Sequence, residues 1–151
     1  MKRRAGFTLT ELLIVAAILS TLALVAVPRL QFGAISQRKA ETAAQDVVMA
    51  LRRTRSLAIL YAATNSTGYG LQITNTSGTT GYQITDLSSS SVVDSRTLDS
   101  AVTCSGGQSF QFGPLGTLNQ GSASTLTISA GGRTCTITIV AGTGLVKCTE
   151  S

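Results

Sequence analysis

From Leu12 to Pro28 the chain carries no charged side chain, and beyond Pro28 its apolar positions follow two different rhythms. Neither Gly nor Pro interrupts Ala34 to Ala63, where Ala40, Ala44, Val47, Leu51, Thr54, Ala58 and Tyr61 recur at alternating spacings of four and three. That period predicts a helix with one stripe of mostly small residues, able to pack closely on a sheet, with Arg38, Lys39, Glu41, Arg52 and Arg53 on its other faces. The helix is expected to end near Ala63, before Thr64-Asn65-Ser66-Thr67-Gly68. After Gly68 the period falls to two: Tyr69, Leu71 and Ile73, then Tyr82 and Ile84, later Phe110 and Phe112, and Leu126 and Ile128. Such runs, separated by Gly, Ser, Thr and Asn, predict short strands joined by turns and paired antiparallel.

The last hairpin is the best defined. Cys135, Ile137 and Ile139 share a face, and a turn over Ala141-Gly142-Thr143-Gly144 returns the chain through Leu145 to Cys148. Pairing Val140 with Leu145 sets Ile139 opposite Val146 and Ile137 opposite Cys148. Cys135 and Cys148 are then diagonal, so a bond between them needs a bulge or a register shift. Cys104, Cys135 and Cys148 are thus candidates for one disulfide, with Cys104 joined to either of the others at least as good a choice. Ser88-Ser89-Ser90-Ser91 reads as a loop, and Gly131-Gly132-Arg133 as a turn, since it lacks the Lys-Ser/Thr ending of a phosphate loop.

With 151 residues the chain has room for one modest domain and an accessory segment. Its net charge is +5, of which Lys2, Arg3 and Arg4 supply three, leaving 5 − 3 = +2 for the rest. The basic character belongs to the first six residues and does not argue for nucleic-acid binding. There is no His, so Ser-His and Cys-His nucleophile pairs are excluded, and the seven acidic residues show no paired-carboxylate arrangement. The three cysteines lack Cys-x-x-Cys spacing. No enzymatic activity, metal or cofactor is expected.

As a helix, residues 7 to 27 would span roughly 30 Å, the thickness of a bilayer's hydrocarbon core, with the basic start on the cytoplasmic side. A secretory signal peptide shares this outline. Glu11 at the head of the apolar run and the lack of a strong A-x-A-like site count against it, and a plain single-pass anchor leaves Glu11 unexplained. The stretch Ala5-Gly6-Phe7-Thr8-Leu9-Thr10-Glu11-Leu12-Leu13 closely resembles the leader junction of type IV pilins and type II secretion pseudopilins. The resemblance implies cleavage after Gly6 by the prepilin peptidase and N-methylation of Phe7. It further implies that Glu11 pairs with a terminal amine, of a neighbouring subunit or of its own chain, and that Pro28 kinks the helix just past the membrane. Thr10 stands where the family more often has an aliphatic residue.

The organisation implied is a leader at 1–6, an N-terminal helix at 7–63 with a membrane span over about 7–27, and an antiparallel β domain at 64–151. The fold class is α+β, type IV pilin-like, with the second half of the helix packed on the sheet. Two later segments resemble the GspH/FimT branch of minor pilins and pseudopilins. These are Thr54-Arg55-Ser56-Leu57-Ala58-Ile59 and the turn Phe112-Gly113-Pro114-Leu115-Gly116. The resemblance implies an inner-membrane protein with a periplasmic domain that enters a pilus or pseudopilus. Its implied partners are other pilin-like subunits, the prepilin peptidase, the assembly platform and the bilayer. A DNA-capturing minor pilin is the alternative, with Arg133 and Lys147 as candidate phosphate contacts. One or two cations neutralise little phosphate, so DNA binding is disfavoured. A secreted monomeric binding domain is the second alternative.

Overall fold

The computed structural model describes residues 8–26, 32–76 and 78–150. The chain separates into two compact units, Met1–Phe32 and Gly33–Ser151. The described part of the first holds the helix α1, Leu9–Ala26. In the second, α2 (Phe32–Leu60, from Gly33 on) is followed by eight strands: β1 Tyr69–Thr76, β2 Thr79–Asp86, β3 Val92–Thr97, β4 Thr103–Gly106, β5 Ser109–Phe112, β6 Thr125–Ala130, β7 Arg133–Val140 and β8 Leu145–Glu150. The class is α+β. Pro28, where a kink is expected, lies outside the described residues.

All strand pairs are antiparallel, but they form two sheets, with orders β3-β2-β1-β5 and β4-β6-β7-β8. The sequence reading did not separate them. The reason is the step at Gly106, whose φ is 98°, and the following Gly107 and Gln108. There the chain leaves β4 beside β6 and enters β5 beside β1, so strands adjacent in sequence belong to different sheets.

One core joins α2 to both sheets. Six of the seven stripe residues, Ala40, Ala44, Val47, Leu51, Thr54 and Ala58, are buried, as are Leu71, Ile84, Phe110, Phe112, Leu126, Ile128, Ile137 and Ile139. Tyr61, the seventh, is half exposed beyond the end of the helix and lies 6.0 Å from the Tyr69 ring, centre to centre. Thr54 is fully buried, and its hydroxyl donates to the Ala50 carbonyl at 2.8 Å, so its polar atom costs the core little.

The end of α2 is fixed by Asn65, which is buried. Its Nδ2 donates to the Gly68 carbonyl (3.0 Å) and to Asp86 Oδ1 (2.8 Å), while its Oδ1 accepts from the amides of Thr67 (3.0 Å) and Gly68 (2.8 Å). One side chain thereby ties the turn after the helix to the end of β2. Gly68 sits at φ 90°, and a Cβ there would meet the Phe112 carbonyl oxygen at 1.9 Å, so this approach of β1 to β5 admits only glycine. The same Asp86 carboxylate accepts from the Ser88 hydroxyl (2.7 Å) and amide (2.8 Å), which turns the serine run back into β3 and lowers the Asp86 pKa.

Candidate functional site

The first described residues form a helix cap. Thr8 precedes α1, and its hydroxyl accepts from the Glu11 amide at 3.3 Å, while Glu11 Oε2 accepts from the Thr8 amide (3.2 Å) and hydroxyl (3.1 Å). This is the reciprocal Thr-x-x-Glu capping box, in which two amides left free by the helix start find side-chain partners. The carboxylate also faces the positive end of the helix dipole. Glu11 therefore has a role inside its own chain that sequence reasoning missed, although the Thr8-Leu9-Thr10-Glu11 spacing carried the signal. Gly6 and Phe7, the expected cleavage and methylation positions, lie outside the described residues.

Along α1, Leu9, Leu12, Leu13, Ile14, Val15, Ile18, Leu19 and Leu22 are all exposed. Of the three hydroxyls in the helix, Thr10 Oγ1 bonds to Thr8 Oγ1 at 3.1 Å, and the other two turn inward on the backbone: Ser20 Oγ donates to the Ala16 carbonyl and Thr21 Oγ1 to the Ile18 carbonyl, both at 2.8 Å. The helix thus offers its surroundings an apolar surface with its polar side chains already satisfied. Among the described residues no helix is long and apolar enough to cross a membrane. Both ends of the expected span, Phe7 and Val27, lie outside those residues.

The second candidate region gathers features that are far apart in the chain. The Phe112–Gly116 turn closes on itself through Gly116 N–H to the Gly113 carbonyl (2.8 Å) and Gly113 N–H to the Thr117 carbonyl (2.9 Å). Arg55 of α2 donates from Nε to the Gly116 carbonyl at 3.1 Å. A Cβ on Gly144, in the β7–β8 turn, would stand 2.0 Å from that same carbonyl oxygen. The helix, the turn and the hairpin tip converge on one atom. Arg55 is committed to structure here, and Leu115 at the apex of the turn is 85% exposed.

The cations considered for DNA do not converge. Val140 pairs with Leu145 and Ile137 with Cys148, the expected register, which places Lys147 opposite Thr138 on the outer face. Arg133 is on the alternate face, at the other end of β7, and its Nη1 lies 3.7 Å from Glu150 Oε2. The two cations share no surface, and one has an anionic neighbour.

The three thiols are free: Cys135 is buried, Cys104 half-buried and Cys148 exposed. Cys104 pairs with Ile128 on β6, which pairs in turn with Cys135 on β7. Two strand spacings, roughly 9–10 Å, therefore separate Cys104 from Cys135, beyond disulfide reach, and Cys148 is one strand further. Only the diagonal Cys135–Cys148 pair is adjacent. Burial pushes the Cys104 thiol up to about 11 and raises that of Cys135, with the neighbouring Cys148 and Glu150 adding to the latter.

A capped apolar helix and an α+β domain thus define the chain. Residues 1–27 match the family model of the prokaryotic N-terminal methylation motif. The match takes in Gly6, Phe7 and Glu11 and supports a prepilin-peptidase substrate of the type IV pilin kind. Neither curated proteins nor solved structures give a match.

Proposed function

We propose that this chain is a minor pilin or pseudopilin: cut after Gly6, N-methylated on Phe7, held in the inner membrane by the run from Phe7 to Val27, and assembled into or priming a type IV pilus or a type II secretion pseudopilus. The observation that carries the reading is the match of residues 1–27 to the methylation motif. The bare apolar surface of α1, with Ser20 and Thr21 bonded to their own helix, supports burial of this segment in lipid and against other subunits. The α+β domain beyond it is then the periplasmic part. Its partners are other pilin-like subunits, the peptidase and the assembly platform.

Glu11 carries two roles in this reading. A carboxylate offers about four acceptor positions, so capping its own helix leaves room for the methylated amine of a neighbour. Both roles make a charge at the edge of hydrocarbon tolerable.

Mass spectrometry of the mature amino terminus tests the processing. A methylated Phe7 is expected; an intact Met1 or a start beyond residue 20 overturns the reading. Glu11→Gln keeps the capping geometry and removes the charge, so it is expected to be cleaved normally and to enter filaments poorly, as is Glu11→Val. Normal incorporation of the glutamine variant would show that the cap, not the charge, is what assembly needs.

A further inference from the structure

The edge strand β3 has an unusual inner face. Asp94 pairs with Ile84 and Arg96 with Tyr82, and residues directly opposite in an antiparallel ladder share a face, so both charges point to the side where α2 and the core lie. None of the six residues of β3 is buried. In place of apolar packing, two ion pairs cross from the strand to the helix, and a third crosses from Asp99, two residues past its end. Lys39 Nζ lies 3.0 Å from Asp99 Oδ2, Arg96 Nη1 lies 3.4 Å from Asp46 Oδ1, and Arg53 pairs with Asp94. The helix members Lys39, Asp46 and Arg53 are seven residues apart, two turns each, and so lie along one face. Their signs run plus, minus, plus, and those of the β3 side run minus, plus, minus.

Beneath the rungs the helix and strand do not close. A cavity of about 350 Å³ lies between them, floored by Met49, Ala50, Tyr82 and Ile84, and another of about 280 Å³ continues it past Asp46 and Arg96 toward Lys39 and Asp99. The first buried apolar anchors beyond the strand are Leu98 and Val102. The ladder to β2 is itself broken by a register shift at Ile84/Thr85.

We propose that β3 is a detachable edge strand, held to α2 by this three-rung charge latch, and that screening the rungs lets it leave the sheet while the rest of the domain stays folded. Opening bares the β2 edge and the apolar floor of the cavity, giving the domain a second surface that the closed form conceals. The alternating signs set the register: a slip of one rung along the helix would place like charges face to face. The inference is independent of the filament reading.

Each rung has at least one partner open to solvent and is worth a factor of about 1.5 to 5 in the opening equilibrium, and at 1 M salt the screening length falls to about 3 Å. Hydrogen exchange of the full chain in nonionic detergent, at low salt and at 1 M NaCl, reads this directly. The β2–β3 amides and the Leu98 amide, which donates to the Thr80 carbonyl at 2.8 Å, are expected to exchange about tenfold faster in salt, with the β6–β7 amides unchanged. Arg96→Asp alone is expected to give the same acceleration without salt, and Arg96→Asp combined with Asp46→Arg to reverse it. Salt-independent exchange at β3, acceleration in step with β6–β7, or failure of the double exchange to restore protection would each overturn the proposal.

Discussion

Replacing Gly144 by alanine tests the convergence of helix, turn and hairpin on the Gly116 carbonyl. Gly144 has φ 64°, a conformation that costs an alanine about 1–2 kcal/mol. The added Cβ would stand 2.0 Å from the Gly116 oxygen and 2.9 Å from Arg55 Nε, so the turn must retreat by about 1 Å and release the Arg55 bond. That bond is half-exposed and contributes about 1 kcal/mol. The total is about 2–4 kcal/mol, or a melting temperature lower by roughly 8–16 °C for a unit of this size. Gly142, two residues away in the same turn, supplies the control: a Cβ there meets nothing within 4 Å, and Gly142→Ala should be neutral or slightly stabilising. Calorimetry on residues 33–151, which form a compact unit, reads both. If the two variants melt within 2 °C of each other, the convergence does not support the fold and the reasoning fails.

Two further outcomes follow from the geometry. Asn65→Ala removes four hydrogen bonds from a buried position and strands the Gly68 amide, while the Gly68 carbonyl keeps the Leu87 amide, so a loss of about 2–4 kcal/mol in denaturant unfolding is expected; a loss below 1 kcal/mol would mean that water replaces the side chain. Alkylation at pH 8 should modify Cys148 rapidly and Cys104 and Cys135 slowly, and any intrachain disulfide found by peptide mapping should join Cys135 to Cys148; a linked peptide containing Cys104 would contradict the strand order.

What was legible in the sequence is what periodicity writes directly. The stripe from Ala40 to Ala58 is buried, the alternating runs became β1, β2, β5 and β6, and the final hairpin took the expected register, because in each case one face packs on the core and fixes the parity. The edge strands β3 and β4 were not legible. Val92-Val93-Asp94-Ser95-Arg96-Thr97 puts charges where the pattern of a strand wants apolar residues, and its partners lie some forty to fifty residues earlier on α2. The division into two sheets was hidden for a related reason: it depends on which neighbour each strand chooses after Gly106, a tertiary matter. In the N-terminal segment the roles of Gly6, Phe7 and Glu11 came from resemblance, whereas the Thr8–Glu11 cap was available from spacing alone. The structural role of Arg55 was not legible either: its acceptor, Gly116, is 61 residues away and no local pattern announces it.

The passage from one sheet to the other at Gly106–Gln108 also governs how this domain tolerates being rebuilt. Any splice there would detach β4 from β6 or β5 from β1, so neither sheet can be transplanted or expressed as a fragment without orphaning a strand of the other. Epitope tags and fluorophores belong at Gly121 or Gly142, where the surroundings are open.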